Sequence, residues 1–598
     1  MSLTKLTLQL FNAVPQSSKA APNKAHVDLE NGILIAPNAC WAKNDIVAFV
    51  KDSKLSGKDL NKTWHKTWQE VIGDDNQNAV VQSVMGFLNG LGAKLDKEVR
   101  IPSETIGLED LDLRMVVIGS MSNADIAERA LQMLQSGMAL KAQTIHDIFA
   151  VLEQVDYKFT GAENIRNKEA VVVLADKHGI YPKEPVEALR YAVYKATDST
   201  TLIKSPGAIQ AVRESGFDAT SVFTGCGEER MAEVFNRFKP LFLAFKDKSK
   251  DARKSVNRIS KLSKSKHKPL PVNALGEVTA RQLNDSDLHW LKNATVFALF
   301  KALSACHTRL RGRTVFAYHI RNGKGWYKTA SKIAAPYVVL QNNFDLIVEE
   351  LKSRVTTEDH KVFIPEGVQY ALPTSEKMFV GNVPTGTKFT AERLAAGIYW
   401  RNEWGANDLD LSTIDPLGTK VGWNSYYSGQ NNNVAYSGDI TNAPNGAVEY
   451  MNIQNGLSSP ELLLNNVYNG NEDCEYKVIV GRGTEINKKY MMDPSQVWVE
   501  AMSQSIKRET IIGLFLPEDN GHVSFVMLNT AIGNANAASG SVHTAQFNKA
   551  LVEQYSTQMT LNDLLEYVGF ELTQTQNDAT IDLSLDMLNR DTFVELFK

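Results

Sequence analysis

Four acidic side chains within residues 398–453 have the types and spacing of a metal site. Asp408 and Asp410 stand two positions apart in NDLDLS, Asp439 follows in YSGD, and Glu449 lies in the next apolar run. Side chains two positions apart on a strand project to the same face, so Asp408 and Asp410 can reach one ion together. Calcium takes about six to eight oxygen ligands, many of them from carboxylates. The pattern therefore predicts a calcium site built from these four residues.

A structural role is the alternative interpretation of the same residues. Aspartate side chains accept backbone hydrogen bonds in turns. The loop after Asp439 also contains Asn442 and Asn445, which offer neutral oxygens to either arrangement. Both interpretations, a calcium site and the polar corners of a β-structure, stay open at the level of sequence.

A second set of candidate residues is basic. Residues 237–268 contain twelve Lys or Arg against two Asp, and residues 288–344 contain no acidic residue at all. Basic side chains beside aromatic ones suit single-stranded nucleic acid, because phosphates pair with the charges while bases stack on the rings. The predicted RNA or DNA contacts are Arg253, Lys254, Arg258, Lys261, Arg309, Arg311, Arg313, Arg321, Lys324 and Trp326.

The basic residues have two other interpretations. They can form subunit contacts in a homo-oligomer or larger assembly, pairing with acidic segments such as residues 106–113. They can also be a solvated helix face with no ligand. The charge pattern alone does not choose among these three.

No arrangement of residues typical of an enzyme is found. The chain has no P-loop, no GxSxG elbow and no HExxH pair, and its histidines are scattered. We therefore expect a binding or scaffold protein rather than an enzyme.

Composition indicates a soluble, multidomain protein. The chain has 598 residues, 43% of them hydrophobic and 22% charged, which is too long for a single core. It has no apolar run of about 18 residues and no signal peptide at its start, so we expect no membrane association. Its four cysteines are far apart, which predicts free thiols and a cytoplasmic location.

Periodicity divides the chain into four regions. We expect a mainly helical, repeat-like region at 1–235, a basic helical and strand region at 236–360, a β-region at 361–530 and a helical tail at 531–598. Residues 3–10 alternate in a way that predicts a strand, SNAD at 122–125 predicts a helix start, and so does TLND at 560–563. Residues 313–327 alternate like a strand and then turn at Asn-Gly.

The segments GIYWRNEWGANDLDLS and YSGDITNAPNGAVEYMNI resemble the β-sandwich of the tellurium-resistance TerD superfamily, in a divergent long-chain branch. The resemblance covers residues 361–530. It implies an antiparallel sandwich, a role in stress or defence, and calcium binding at Asp408, Asp410 and Asp439. The family's second loop is crowded with acidic residues, whereas here it reads ITNAPNGAVE, which implies weaker calcium binding.

The helical half is similar, more distantly, to the ring of the Ro/TROVE family of RNA-binding proteins. Taken together, the sequence predicts an α+β multidomain protein with a helical-repeat-like region, a TerD-like sandwich and a small α/β tail. The expected function is non-enzymatic binding or scaffolding with RNA or DNA as the ligand. The alternatives are a self-assembling structural protein, such as a shell, filament or viral component, and a calcium-dependent interaction module.

Overall fold

The chain is a mixed α and β protein with several separate sheets, in agreement with the α+β class. The computed structural model describes residues 2–18, 24–28, 31–55, 116–199, 203–265, 274–319, 323–329, 335–358, 360–482, 496–532 and 542–597. None of the helices in these ranges combines the length and the apolar character that crossing a bilayer requires.

The described helices, numbered along the chain, are α1 Leu3–Phe11, α2 Lys43–Ser53, α3 Asn123–Gln135, α4 Ala142–Gln154, α5 Lys168–His178, α6 Pro185–Thr197, α7 Pro206–Glu214, α8 Thr220–Cys226, α9 Glu228–Val234, α10 Lys239–Lys246, α11 Lys250–Ser265, α12 Ala274–Glu277, α13 Asp285–Asn293, α14 Val296–Leu310, α15 Tyr337–Lys352, α16 Val542–Ser556, α17 Leu561–Val568 and α18 Thr592–Glu595.

The described strands are β1 Ala13–Pro15, β2 His26–Asp28, β3 Ile33–Ile35, β4 Val116–Met121, β5 Val315–His319, β6 Lys324–Thr329, β7 Lys361–Phe363, β8 Val368–Gln369, β9 Phe379–Val380, β10 Val383–Pro384, β11 Lys388–Ala391, β12 Leu394–Trp400, β13 Ala406–Ile414, β14 Lys420–Gly422, β15 Ser428–Gly429, β16 Val434–Tyr436, β17 Ala447–Ile453, β18 Glu461–Gly470, β19 Glu475–Arg482, β20 Val497–Gln504, β21 Glu509–Pro517, β22 Val523–Ile532, β23 Glu571–Thr573 and β24 Ile581–Asp582.

The N-terminal strand prediction is wrong, because residues 3–11 form helix α1. Ser2 caps this helix by accepting a hydrogen bond from the Lys5 backbone N–H. Leu6 and Leu10 pack into the main core, whereas Leu8 packs into a separate small core on the other side. A helix buried on two sides carries more leucines than a one-sided helix, and that surplus produced the apparent alternation.

A small sheet follows α1, with the strand order β1-β4-β3-β2. Strands β1 and β3 run parallel to β4, while β2 pairs with β3 in the antiparallel sense. Strand β4 lies in a stretch for which the sequence predicts helices, so that part of the helical prediction is wrong. The predicted helix start at Ser122 is confirmed, with a capping box between Ser122 and Asp125.

Helices α5 to α11 share one hydrophobic cluster that runs from Val172 to Ile259. The predicted boundary between residues 235 and 236 falls inside this cluster. Helices α14 and α15 instead contribute to the main core through residues such as Phe300 and Ile347. The basic region of the sequence is therefore shared between two cores.

Two mainly antiparallel sheets form the β-region. The first has the order β14-β13-β18-β21-β22-β11-β8, and the hairpin β5–β6 joins it through a parallel contact with the end of β22. The second has the order β15-β16-β17-β12-β19-β20. Leu409 and Leu411 of the first sheet and Ile398 and Trp400 of the second belong to the same core.

The C-terminal segment, residues 542–597, packs against both the β-region and the helical half of the molecule. Helix α16 covers the outer face of the first sheet through Phe547 and Leu551. Helix α17 begins with the predicted capping box between Thr560 and Asp563. Strands β23 and β24 then run parallel to β7 on its two sides, so the last residues complete a sheet whose first strand lies far upstream.

Candidate metal site and basic surfaces

Strand β13 carries two of the predicted metal ligands. Its residues Leu409 and Leu411 point into the core, so Asp408 and Asp410 share the opposite face, as their spacing predicts. Asp408 lies at an irregularity where Asp408 pairs with Asn469 and Leu409 pairs with Val467. Such bulges redirect side chains at the ends of paired segments.

Asp439 reaches the same place from the loop between β16 and β17. The loop is anchored by Ser437, whose N–H donates to the Tyr450 carbonyl at 2.9 Å and whose hydroxyl accepts from the Tyr450 N–H at 2.9 Å. Gly438 follows with φ 112°, a conformation that a side chain at this position would strain. The turn brings Asp439 beside β13.

The three aspartates form a compact cluster. One carboxylate oxygen from each of Asp408, Asp410 and Asp439 lies within 4.8 Å of the other two. In the described ranges no other group of three Asp, Glu, His or Cys side chains meets this spacing. Asp408 is 7% exposed and Asp410 is 2% exposed, so the charges are largely removed from water.

Burial and mutual repulsion raise the pKa of Asp410 to about 7, with the carboxylates of Asp408 and Asp439 as its charged neighbours. The amide of Asn466, 3.5 Å from Asp410 Oδ2, and the ammonium of Lys420 act in the opposite direction. A buried carboxylate held among like charges is the electrostatic environment that a cation relieves.

Glu449 lies beside the cluster but is not one of its members. Its Oε2 accepts hydrogen bonds from the Leu411 N–H at 3.0 Å and the Tyr436 hydroxyl at 2.6 Å, and its Oε1 accepts from the Ile440 N–H at 2.7 Å. The side chain is fully buried, and burial raises its pKa well above the ordinary value. These contacts hold the backbone next to Asp410 and Asp439 in place. The Glu449 carboxylate is therefore used for positioning and not as a metal ligand.

The two asparagines considered as neutral ligands are exposed on the loop surface. The Asn442 side-chain oxygen accepts a hydrogen bond from the Asn402 amide at 2.8 Å. That contact ties the loop to the turn before β13.

The first four predicted nucleic-acid contacts lie on α11. This helix buries Ala252, Val256 and Ile259, and its opposite face is basic and exposed. Three of the four basic residues have acidic partners: Arg253 with Asp247 at 3.0 Å, Lys254 with Asp251 at 3.2 Å, and Arg258 with Glu228 at 3.0 Å. Lys261 is exposed on the same helix.

The remaining predicted contacts lie around the end of α14 and the hairpin β5–β6. Arg309 stacks on the Phe316 ring at 4.8 Å and donates to the Ala305 carbonyl at 3.1 Å. Arg311 is exposed, whereas Arg313 is partly buried, which lowers its pKa to about 10. Arg321 lies outside the described residues.

Lys324 and Trp326 lie in β6 and are both partly buried. Trp326 contacts the His543 ring edge-on, with ring centroids 6.4 Å apart. The nine predicted contacts that lie in the described residues thus belong to two different parts of the molecule, helix α11 and the region formed by the end of α14 and the hairpin β5–β6.

Sequence reasoning missed the neighbours that control the aspartates. Asn466 and Lys420 are brought beside Asp410 by strand pairing, and the positioning role of Glu449 depends on its burial between two sheets. These neighbours could have been predicted only from the register of β13 against β18, and a single sequence does not reveal that register.

Comparison of the chain with protein-family models, with curated proteins and with solved structures gives no match. The TerD-like and TROVE-like resemblances therefore stay predictions.

Proposed function

We propose that this chain is a non-enzymatic binding protein of a stress or defence system whose β-region is a calcium-dependent interaction module. The observation that carries the proposal is the cluster of Asp408, Asp410 and Asp439, in which Asp408 and Asp410 are buried and Asp439 is partly buried. The TerD-like motifs contribute these same three residues, which supports the assignment.

The chemistry of the cluster favours a hard cation. All three ligand groups are carboxylates, and no histidine or thiol joins them in the described ranges. Zinc and copper sites normally use such nitrogen or sulfur ligands. Calcium also accepts backbone carbonyls and waters to complete its shell, whereas magnesium demands a stricter octahedron.

A bound cation would connect strand β13 of the first sheet to the loop that precedes β17 of the second sheet. Asp408 and Asp410 belong to β13, and Asp439 belongs to the loop before β17. In the absence of a cation, repulsion among the three carboxylates opposes the close approach of the loop to the strand. Calcium binding would therefore fix the loop surface, which is how the module would become competent to bind a partner.

Isothermal titration with CaCl2 and, separately, MgCl2 tests this proposal on the full chain. We expect calcium to bind more tightly than magnesium, and Asp410→Asn to weaken calcium binding by more than about 100-fold, beyond the loss typical of an outer-shell change. Asp519→Asn is the matched control, because Asp519 is exposed in a turn of the same β-region. Absence of calcium binding by the wild-type protein would refute the proposal.

A second candidate function, binding of single-stranded RNA or DNA, is supported by the basic face of α11. The side chains of Arg253, Lys254 and Arg258 are 61%, 79% and 73% exposed, so their surface ion pairs are weak competitors for a phosphate. The helix carries six basic residues and one acidic residue, Asp251.

Gel mobility of a single-stranded oligonucleotide at low and high salt tests the second function. We expect binding that falls steeply with salt. Replacing both Lys254 and Lys261 by Glu should abolish it, whereas Lys549→Glu, an exposed change on α16, should not. Equal binding by both variants would contradict this function.

A further inference from the structure

A loop near the acidic cluster presents aromatic and amide side chains without any charge. Residues 423–433 read WNSYYSGQNNN, and we call this segment the aromatic loop. No charged residue occurs anywhere between positions 421 and 438. Tyr, Trp, Ser, Gly and Asn are the residues that dominate the binding loops of antibodies, where rigid rings supply contact area and small polar groups supply hydrogen bonds.

The tyrosines of this surface are open to solvent. Tyr426 is 72% exposed and Tyr427 is 37% exposed. Tyr468 of the neighbouring strand β18 is 61% exposed, and its ring lies edge-on to Trp423 with centroids 5.7 Å apart. Tyr468 is the residue skipped where β18 pairs with β13, so the bulge turns its ring outward.

Trp423 is partly buried, and its ring packs against the exposed ring of Tyr468. The ammonium of Lys420 lies 4.5 Å from the centre of the Trp423 ring and donates to the Asn424 side-chain oxygen at 2.9 Å. The ammonium of Lys420, which lies beside the loop, is therefore already engaged.

The aromatic loop is held in one conformation by Gln430. The Gln430 amide donates to Glu461 Oε1 at 2.7 Å and to the Ser459 carbonyl at 3.1 Å, and its oxygen accepts from the Ser458 N–H at 2.8 Å. The loop also contains Asn424, Gln430, Asn431 and Asn432 in the left-handed region. Non-glycine residues keep such conformations only where the surroundings enforce them, frequently at ligand sites.

From this geometry we propose that the aromatic loop and Tyr468 bind a neutral oligosaccharide, an activity beyond the calcium-dependent function proposed above. The C–H face of a sugar ring packs on an exposed aromatic ring, and sugar hydroxyls pair with amides and hydroxyls such as those of Asn431 and Ser428. The absence of charge disfavours a nucleic acid or a charged peptide, both of which need counter-charges.

Affinity electrophoresis of the full chain tests the proposal. The gels contain one soluble neutral polysaccharide each: an α-glucan, a β-1,3-glucan, a mannan or a xyloglucan. A gel with the polyanion heparin serves for comparison. We expect at least one neutral polysaccharide to retard the wild-type protein, and Tyr426→Ala and Tyr468→Ala each to lower the association constant by about tenfold, the loss of one ring contact.

Tyr337→Ala is the matched control, because Tyr337 is 64% exposed at the start of α15 and far from the loop in sequence. It should be retarded like the wild type. If Tyr468→Ala alters the fold, Tyr426→Ala still decides the result. Retardation by heparin alone, retardation by none of the neutral polysaccharides, or unchanged retardation of both tyrosine variants would overturn the proposal.

Discussion

The carboxylate of Glu449 joins the two segments that carry the acidic cluster. It accepts the N–H of Leu411, which directly follows Asp410, and the N–H of Ile440, which directly follows Asp439. Residues that orient metal ligands in this way affect metal affinity without touching the ion. At the residue scale, Glu449 is thus a positioning residue.

Replacing Glu449 by Gln should weaken calcium binding. The amide keeps only one oxygen, so at least one of the two backbone N–H groups loses its acceptor. We expect calcium affinity to fall by about 10- to 100-fold and the free energy of unfolding to fall by about 1–3 kcal/mol. Titration calorimetry and urea unfolding measure the two effects.

Tyr436→Phe is the control for that variant. It removes the hydroxyl that donates to Glu449 Oε2 but leaves both backbone contacts in place. We expect a stability loss of about 1 kcal/mol and calcium affinity close to wild type. Equal loss of calcium affinity in both variants would contradict the positioning role.

The raised pKa of Asp410 predicts a pH dependence of stability. Folding raises this pKa to about 7, so the folded state holds a proton that the unfolded chain has released. The metal-free protein should therefore lose stability as the pH rises from about 4 to about 7. Thermal unfolding in EDTA measures this loss, which should shrink in Asp410→Asn and in saturating calcium.

Glu461 provides an internal comparison for the pH experiment. Burial raises its pKa to about 7 as well, although Gln430 donates to it. It is outside the acidic cluster, so its contribution should persist in calcium and in Asp410→Asn. A pH dependence that calcium leaves wholly unchanged would contradict the assignment to Asp410.

The sequence grouped Glu449 with the three aspartates as a metal ligand. The structure brings the three aspartates together, whereas the Glu449 carboxylate accepts backbone hydrogen bonds beside them. Spacing along β13 reports which side chains share a face, and that part follows from strand geometry alone. The environment of Glu449 depends on how two sheets pack, which is a contact between residues distant in sequence.

At the element scale, the close approach of β12 to β17 requires a glycine. Gly397 pairs with Tyr450, and a Cβ at this position would lie 1.9 Å from the Glu449 carbonyl oxygen. The nearest atoms are the backbone of Glu449 and Tyr450 in β17, which leave the added Cβ no room. The two central strands of the second sheet, β12 and β17, therefore approach each other closely next to Glu449.

Gly397→Ala should destabilise the β-region severely and weaken calcium binding with it. We expect the free energy of unfolding to drop by about 3 kcal/mol or more, because overpacking in a core displaces backbone. Circular dichroism melts and calcium titration report the change. Gly119→Ala, in strand β4, has no atom within 4 Å of the added Cβ and should melt like the wild type.

Elements were easiest to predict where local signals act alone. The capping boxes at Ser122 and Thr560 and the strand β5 were all predicted from short motifs. Helix α1 and strand β4 were not, because each is decided by burial against other elements. Local sequence does not record whether one face or two will be buried.

At the scale of the whole molecule, the C-terminal segment holds the helical half against the β-region. Glu376 is 4% exposed and accepts from the Lys141 N–H at 2.5 Å, the Thr144 hydroxyl at 2.7 Å and Arg590 at 2.8 Å. Arg129 pairs with Asp591 at 2.7 Å. Three distant parts of the chain meet at this network.

Arg590→Ala should destabilise both halves, because it leaves the buried carboxylate of Glu376 without its cation. We expect a loss of about 3 kcal/mol, the lower end of the range for breaking a buried pair. Urea unfolding followed by tryptophan fluorescence measures it. Lys361→Ala breaks an exposed pair with Glu571 and should cost no more than about 1 kcal/mol; equal costs would contradict the role of the network.

The parallel pairing of β7 with β23 and β24 determines when the protein can finish folding. Lys361 and Thr580, which are hydrogen-bonded at this sheet, are 219 residues apart. A nascent chain emerging from the ribosome therefore exposes the edges of β7 until β23 and β24 have also emerged. Pairings of such long range fold slowly and leave strands open to aggregation in the meantime. The sheet around β7 is thus completed only after the 219 residues that separate Lys361 from Thr580 have been synthesised.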